Sequence, residues 1–221
     1  ETRIALLFLV GEERGSDGAK LANDSAPDGV RFLINGEPTD NRLGAATRGI
    51  LRVRLHADGR AAHSSFPELG ESAIDKLLDA LMVLRGVALP DDPVLGRTHY
   101  TVGLIEGGVA PNVVSPHASA ELSFRTVGSG DAVRAAMHVV ESLVSFEHVL
   151  DVPAVRMHTL PGFDTAVFPY TTDVPLLTRW GTPLLIGPGS IHVAHTDEEH
   201  LAIDEMMAAI QLYESLARQL L

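Results

Sequence analysis

Two adjacent carboxylates, Glu12 and Glu13, follow an unbroken apolar run at residues 4–10 and precede Arg14-Gly15-Ser16-Asp17-Gly18. An apolar run without alternation reads as a central parallel strand covered on both faces. Like charges side by side in a low-dielectric pocket repel, and each disfavours ionisation of the other. A metal cation is the usual compensation. The crevice at the carboxyl ends of the strands is also where open α/β sheets bind ligands. The plainer reading of the same pair is an acidic helix start, stabilised by the macrodipole.

Further groups follow in order. Gly36-Glu37-Pro38-Thr39 comes after a second apolar run, 30–34. His63 sits in Gly59-Arg60-Ala61-Ala62-His63-Ser64-Ser65-Phe66-Pro67. Gly107-Gly108-Val109-Ala110-Pro111-Asn112 precedes a strand pattern ending in Phe124-Arg125. Gly187-Pro188-Gly189 leads to Ala194-His195-Thr196, with Glu199 close behind. Taken alone, Glu37 is a polar turn residue, His63 and His195 are two of ten histidines, and Arg125 is an exposed strand arginine.

Together and in this order, the motifs resemble the dinuclear zinc amidohydrolase family of acetylornithine deacetylase, succinyl-diaminopimelate desuccinylase, aminoacylase and glutamate carboxypeptidase. The look is nearest to acetylornithine deacetylase. The resemblance implies a general base at Glu12 and metal ligands at Glu13, Glu37 and His195, with two Zn2+ per site (Co2+ or Mn2+ as substitutes). It implies an oxyanion donor at His63, contributed in dimeric relatives by the neighbouring subunit. Asn112 and Arg125 would hold the substrate carboxylate, and Asp173 matches a position near the site. The implied reaction is hydrolysis of the amide bond of an N-acyl amino acid; a desuccinylase, dipeptidase or carboxypeptidase reaction is the alternative. A reading of another class is a non-catalytic dimerising or ligand-binding fragment. The family's His-x-Asp motif and bridging Asp are expected upstream of residue 1, so the chain reads as a fragment, inactive alone, lacking the N-terminal third.

Composition narrows the partners. Lys+Arg number 17 against Asp+Glu 29, a net charge of -12 with no basic stripe, which argues against nucleic acid. There is no Cys, so a metal would rest on His and carboxylates. No apolar run approaches the roughly 18 residues of a membrane span. The expected partners are a small N-acyl amino acid or dipeptide and a second copy of the chain, and the expected location is cytoplasmic.

Periodicity supplies the scaffold. Leu51, Val53, Leu55 and Ala57 alternate with Arg52, Arg54, His56 and Asp58, as in a half-buried antiparallel strand. Ile74, Leu77, Leu78, Leu81 and Leu84 recur at helical spacing before Gly86. Strands are predicted at 100–105, at 118–124 and at 150–157, and a second helix on Val133, Met137, Val140 and Val144. The order β-α-β-β-α-β is the split ferredoxin-like unit. After it come a short buried strand at 184–186 and a C-terminal helix with Met206, Ile210, Tyr213, Ala217 and Leu220 on its apolar face. The fold expected is α/β: an incomplete zinc-peptidase-like parallel-sheet catalytic domain (1–46 and 157–221) with an inserted ferredoxin-like lid and dimerisation domain (47–156).

Overall fold

The computed structural model describes residues 4–221. In chain order its elements are α1 (Asp17–Asp24), β1 (Phe32–Asn35), β2 (Leu43–Thr47), β3 (Gly49–Asp58), α2 (Ala73–Arg85), β4 (Asp91–Asp92), β5 (Gly96–Arg97), β6 (His99–Gly107), β7 (His117–Thr126), α3 (Asp131–Met137), β8 (Ser145–Val152), β9 (Val155–Arg156), β10 (Thr165–Phe168), β11 (Thr182–Leu185) and α4 (Ile203–Leu220). They fall into two compact units, Arg48–Ala154 and the pair Glu1–Thr47 with Val155–Leu221.

The Arg48–Ala154 unit is one antiparallel sheet in the order β6-β7-β3-β8. With α2 and α3 as crossovers this is the ferredoxin-like arrangement, plus a short β4–β5 hairpin. β3 pairs with β7 over its full length, from Gly49 opposite Thr126 to Asp58 opposite His117. Strand side chains alternate between faces, so Leu51, Val53, Leu55 and Ala57 meet Ala118, Ala120, Leu122 and Phe124 on one side. The helices cover that side with Ala73, Leu77, Ala80, Leu84, Val133 and Met137. Ser72 caps α2 by accepting from Asp75 N at 3.2 Å. α3 ends at Met137 and gives way to a 3₁₀ turn, yet Val140 and Val144 still reach the core. The last strand lies earlier than the predicted 150–157: β8 stops at Val152, because Pro153 has no N–H for the ladder.

In the other unit, β1 runs parallel to β11. A second sheet has the order β10-β2-β9, with β10 parallel and β9 antiparallel to β2. Leu43, Leu184, Ile186, Leu216 and Leu220 form its core against α4.

Two expectations need correction here. Residues 4–10 form no strand, and Ile4, Leu6, Phe8 and Val10 are largely exposed. A strand exists only through its ladder, and among the described residues this segment has no strand partner. On α4 the packed stripe is Ala209, Leu216 and Leu220 with Leu212 and Tyr213, while Met206 and Ile210 stay in solvent. Apolar residues surround much of this helix, so the sheet below it, not the period, selects the buried stripe. No described helix is long and apolar enough to cross a membrane.

Candidate functional site

Glu12 and Glu13 ride on a 3₁₀ turn, Glu12–Arg14, set between the left-handed residues Gly11 and Gly15. Gly11 O accepts from both Arg14 N (3.0 Å) and Ser16 N (2.7 Å), which closes the turn. Glu13 Oε1 lies 3.2 Å from His195 Nε2, bringing together residues far apart in sequence. His195 itself holds a left-handed backbone, φ 63°. A side chain there costs on the order of 1–2 kcal/mol, and its N–H donates to Glu199 Oε2 at 2.8 Å, which helps hold the conformation.

Glu37 follows β1 in a half-buried loop, and Asn35 Nδ2 donates to its Oε1 at 3.2 Å. Burial, and then the negative charge of Glu12, push the Glu37 carboxyl up to about 7; Asp173 and Glu13 add to the rise, and the Asn35 bond opposes it. Glu12 is raised too, by lost hydration at its inner side, then by Glu13 and Asp173, with His195 pulling the other way. Asp173 is 3 % exposed and its Oδ1 has no hydrogen-bond partner among the described residues. Four carboxylates and one imidazole are therefore within electrostatic reach of one another.

Such a cluster is stable only with protons or a cation to offset it. Carboxylate oxygens with an imidazole suit a divalent metal such as zinc. Among the described residues no three side chains converge into a ready cage. What stands there is the Glu13–His195 pair, with Glu37 and the unsatisfied Asp173 oxygen nearby in charge. Glu13, His195 and Glu37 supply the donor types that a divalent metal takes.

His63, Asn112 and Arg125 belong to the Arg48–Ala154 unit. His63 forms an antiparallel bridge with Val113, and Ser64 N donates to Asn112 O at 2.9 Å. His63 and Asn112 are thus on adjoining loops. Ser65 N donates to His63 Nδ1 at 3.1 Å, so the neutral ring carries its proton on Nε2, free to donate outward. Arg125 is not with them. It lies at the other end of β7, eight residues beyond His117, about 27 Å of strand. There it is half-buried, and burial and then the neighbouring Arg52 disfavour its charge. Arg52 and Arg54 share Glu121, at 3.5 and 2.8 Å; no carboxylate among the described residues pairs with Arg125.

Sequence reasoning overlooked three side chains. Asn35 holds Glu37, Tyr213 Oη donates to Ile186 O at 2.6 Å, and the fully buried Thr39 hydroxyl bonds Gly187. Burial and the charge on Glu37 keep the Tyr213 phenol protonated as a donor. Asn35 and Thr39 flank Glu37 in sequence and Tyr213 stands on the apolar face of the C-terminal helix, but nothing there signalled their partners.

Residues 45–152 match the family model described as the peptidase dimerisation domain of the M20 group. A peptidase M20 domain-containing protein of Schizosaccharomyces pombe is 34 % identical over 223 residues, covering 98 % of this chain and 55 % of the relative. A probable carboxypeptidase of Aspergillus terreus is 37 % identical over 244 residues, covering 96 % and 56 %. The chain spans about half the length of the curated relatives it matches. In fold it is similar to the aminopeptidase PepT of Bacillus cereus, with a TM-score of 0.74 at 18 % identity over 93 % of this chain and 61 % of that one. A tripeptidase of Staphylococcus aureus is as near, with a TM-score of 0.73 at 19 % identity and the same coverages. Residues 45–152 thus match a dimerisation domain of the M20 peptidase type, and similarity to an M20 domain-containing protein runs along nearly the whole chain.

Proposed function

We propose that the protein of which this chain is part hydrolyses an amide bond next to a free carboxylate, with metal held by Glu13, Glu37 and His195. The observation that carries the reading is the acidic cluster around Glu37, whose carboxyl is pushed to about 7 by burial and by Glu12, Asp173 and Glu13. Bound zinc would supply a water that ionises near neutral pH. Glu12 takes a proton from the attacking water and returns it to the leaving nitrogen; its raised pKa suits both halves of that task. His63 Nε2–H donates to the developing oxyanion. Arg125, a cation without a carboxylate of its own among the described residues, receives the substrate carboxylate as a bidentate partner. Asn112 belongs to the same half-site as His63.

Arg125 lies a strand's length from His63 and Asn112, which favours a site shared between two copies: Arg125 from one, His63 and Asn112 from the other. The matched dimerisation domain supports a homodimer through residues 45–152. For the substrate, the names of the relatives favour a short peptide cut as by a carboxypeptidase. The Gly187-Pro188-Gly189 and Ala194-His195-Thr196 pattern supports a second reading, an N-acetyl amino acid as in acetylornithine deacetylase. A hydrolysis screen of the full-length protein over dipeptides, tripeptides, N-acetyl and N-succinyl amino acids separates them. Turnover should vanish on chelation and return with Zn2+. Turnover that survives complete metal removal would overturn the proposal.

A further inference from the structure

The structure assigns to Thr39 the role of a positioning residue that sets Glu37 against the loop leading to His195. This rests on the reading of Glu37 and His195 as metal holders. β1 and β11 run side by side, and Ile186 N still donates to Asn35 O at 3.1 Å where the ladder ends. Beyond that point the two chains continue together. Thr39 N and Asn41 N donate to Gly187 O at 3.2 and 2.9 Å, and Asp40 N donates to Gly189 O at 2.8 Å. The Thr39 hydroxyl completes the lacing: it donates to Gly187 O at 3.1 Å and accepts from Gly187 N at 2.9 Å.

Residue choice in the brace is narrow. Thr39 is 0 % exposed, and its hydroxyl is the one acceptor among the described residues for the buried Gly187 N–H. Removing it leaves a buried donor unpaired, which folded chains rarely tolerate. A side chain at Gly187 is excluded as well, since its Cβ would stand 2.4 Å from Glu37 O. Glu37 is two residues before Thr39, and the chain from Gly187 runs directly to His195. One hydroxyl therefore fixes the spacing of two loops that each bring a metal donor, and it touches neither metal nor substrate.

The test uses the full-length protein stripped of metal, with Zn2+ affinity read by competition against a chromophoric chelator and Tm read without metal. Thr39→Val keeps the shape and loses the hydroxyl; it should weaken Zn2+ binding at least tenfold, and Thr39→Ser should stay within threefold of the parent. Thr47→Val is the matched control, a buried threonine in β2 whose Oγ1 has no partner among the described residues, and it should leave Zn2+ affinity unchanged. Should Thr39→Val fail to fold, Tyr213→Phe removes the bond to Ile186 O from the same brace, and at least a threefold loss of Zn2+ affinity is expected. A lower Tm with Zn2+ affinity kept in these variants would make the brace merely structural and overturn the proposal. Glu37→Gln tells the two failures apart: if it binds Zn2+ like the parent, the metal reading falls; if it binds weakly and Thr39→Val does not, only the positioning role falls.

Discussion

The Arg48–Ala154 unit and the remainder of the chain build their cores differently. In the first, sixteen buried side chains form one cluster between a four-stranded sheet and its two helices. In the second, two smaller clusters lie beneath sheets of two and three strands. Both units leave large apolar side chains more than half exposed, Leu69, Met82 and Val109 in the first and Leu6, Phe8 and Ile203 in the second. The chemistry divides along the same line. The unit with the two smaller clusters carries the acidic cluster and His195; the unit with the single core carries His63, Asn112 and Arg125, which pairs with no carboxylate among the described residues. A closed core can present donors on rigid strands and short loops. The acidic cluster draws on four separated stretches, near residues 12, 37, 173 and 195, and depends on hydrogen bonds between loops such as those at Thr39.

Within the Arg48–Ala154 unit the largest expected effect is at His63. His63→Ala should lower kcat of the full-length protein by 10²–10³-fold, the usual loss for one oxyanion donor, with little change in ground-state substrate binding. Mixing it with an inactive Glu12→Gln chain sharpens the comparison, because a shared site would regain part of the activity in mixed dimers. Mixed dimers that form and stay inactive would confine His63 to its own chain.

Stability should follow burial. Leu122 is 0 % exposed in the closed core, so Leu122→Ala should cost about 2–5 kcal/mol in denaturant unfolding. Phe8, 86 % exposed, should be replaceable by Ser within about 0.5 kcal/mol. Equal costs at the two positions would break the link between burial and stability.

A smaller effect concerns pH. The Glu37 carboxyl titrates near 7 in the folded protein against 4.5 when unperturbed. Below about 4.5 both states hold the proton. Between the two values the unfolded chain ionises first, so metal-free stability falls as pH rises through this window and levels off above 7. The loss should be on the order of 2 kcal/mol, solvent at the half-buried site trimming the full value. Glu37→Gln should flatten the decline; the same slope in the variant would place its origin elsewhere.

Legibility in the sequence follows the range of the interactions. β3 and β7 were readable because a half-buried antiparallel strand writes its two faces into alternate residues, as at Leu51, Val53, Leu55 and Ala57. Residues 4–10 were not, since an apolar run says only that the segment could be covered, and a ladder needs partners elsewhere in the chain. The stripe of α4 was misplaced by about one position for a related reason: Met206 and Ile210 were as apolar as the Ala209 and Leu216 that pack. Glu12, Glu13, Glu37 and His195 stood out as motifs, and the structure draws Glu13 and His195 into contact. Thr39, Asn35 and Tyr213 act through backbone atoms or a single partner, and such contacts leave no spacing to read.

Metal content and turnover of Glu12→Gln and Glu13→Gln, measured side by side in the full-length protein, test the account most directly. Glu12→Gln should keep its metal and lose turnover by about 10²–10⁴-fold, because an amide cannot carry the proton. Glu13→Gln should lose metal together with turnover. Equal metal loss in both variants, or none in either, would contradict the division of roles between the two adjacent carboxylates.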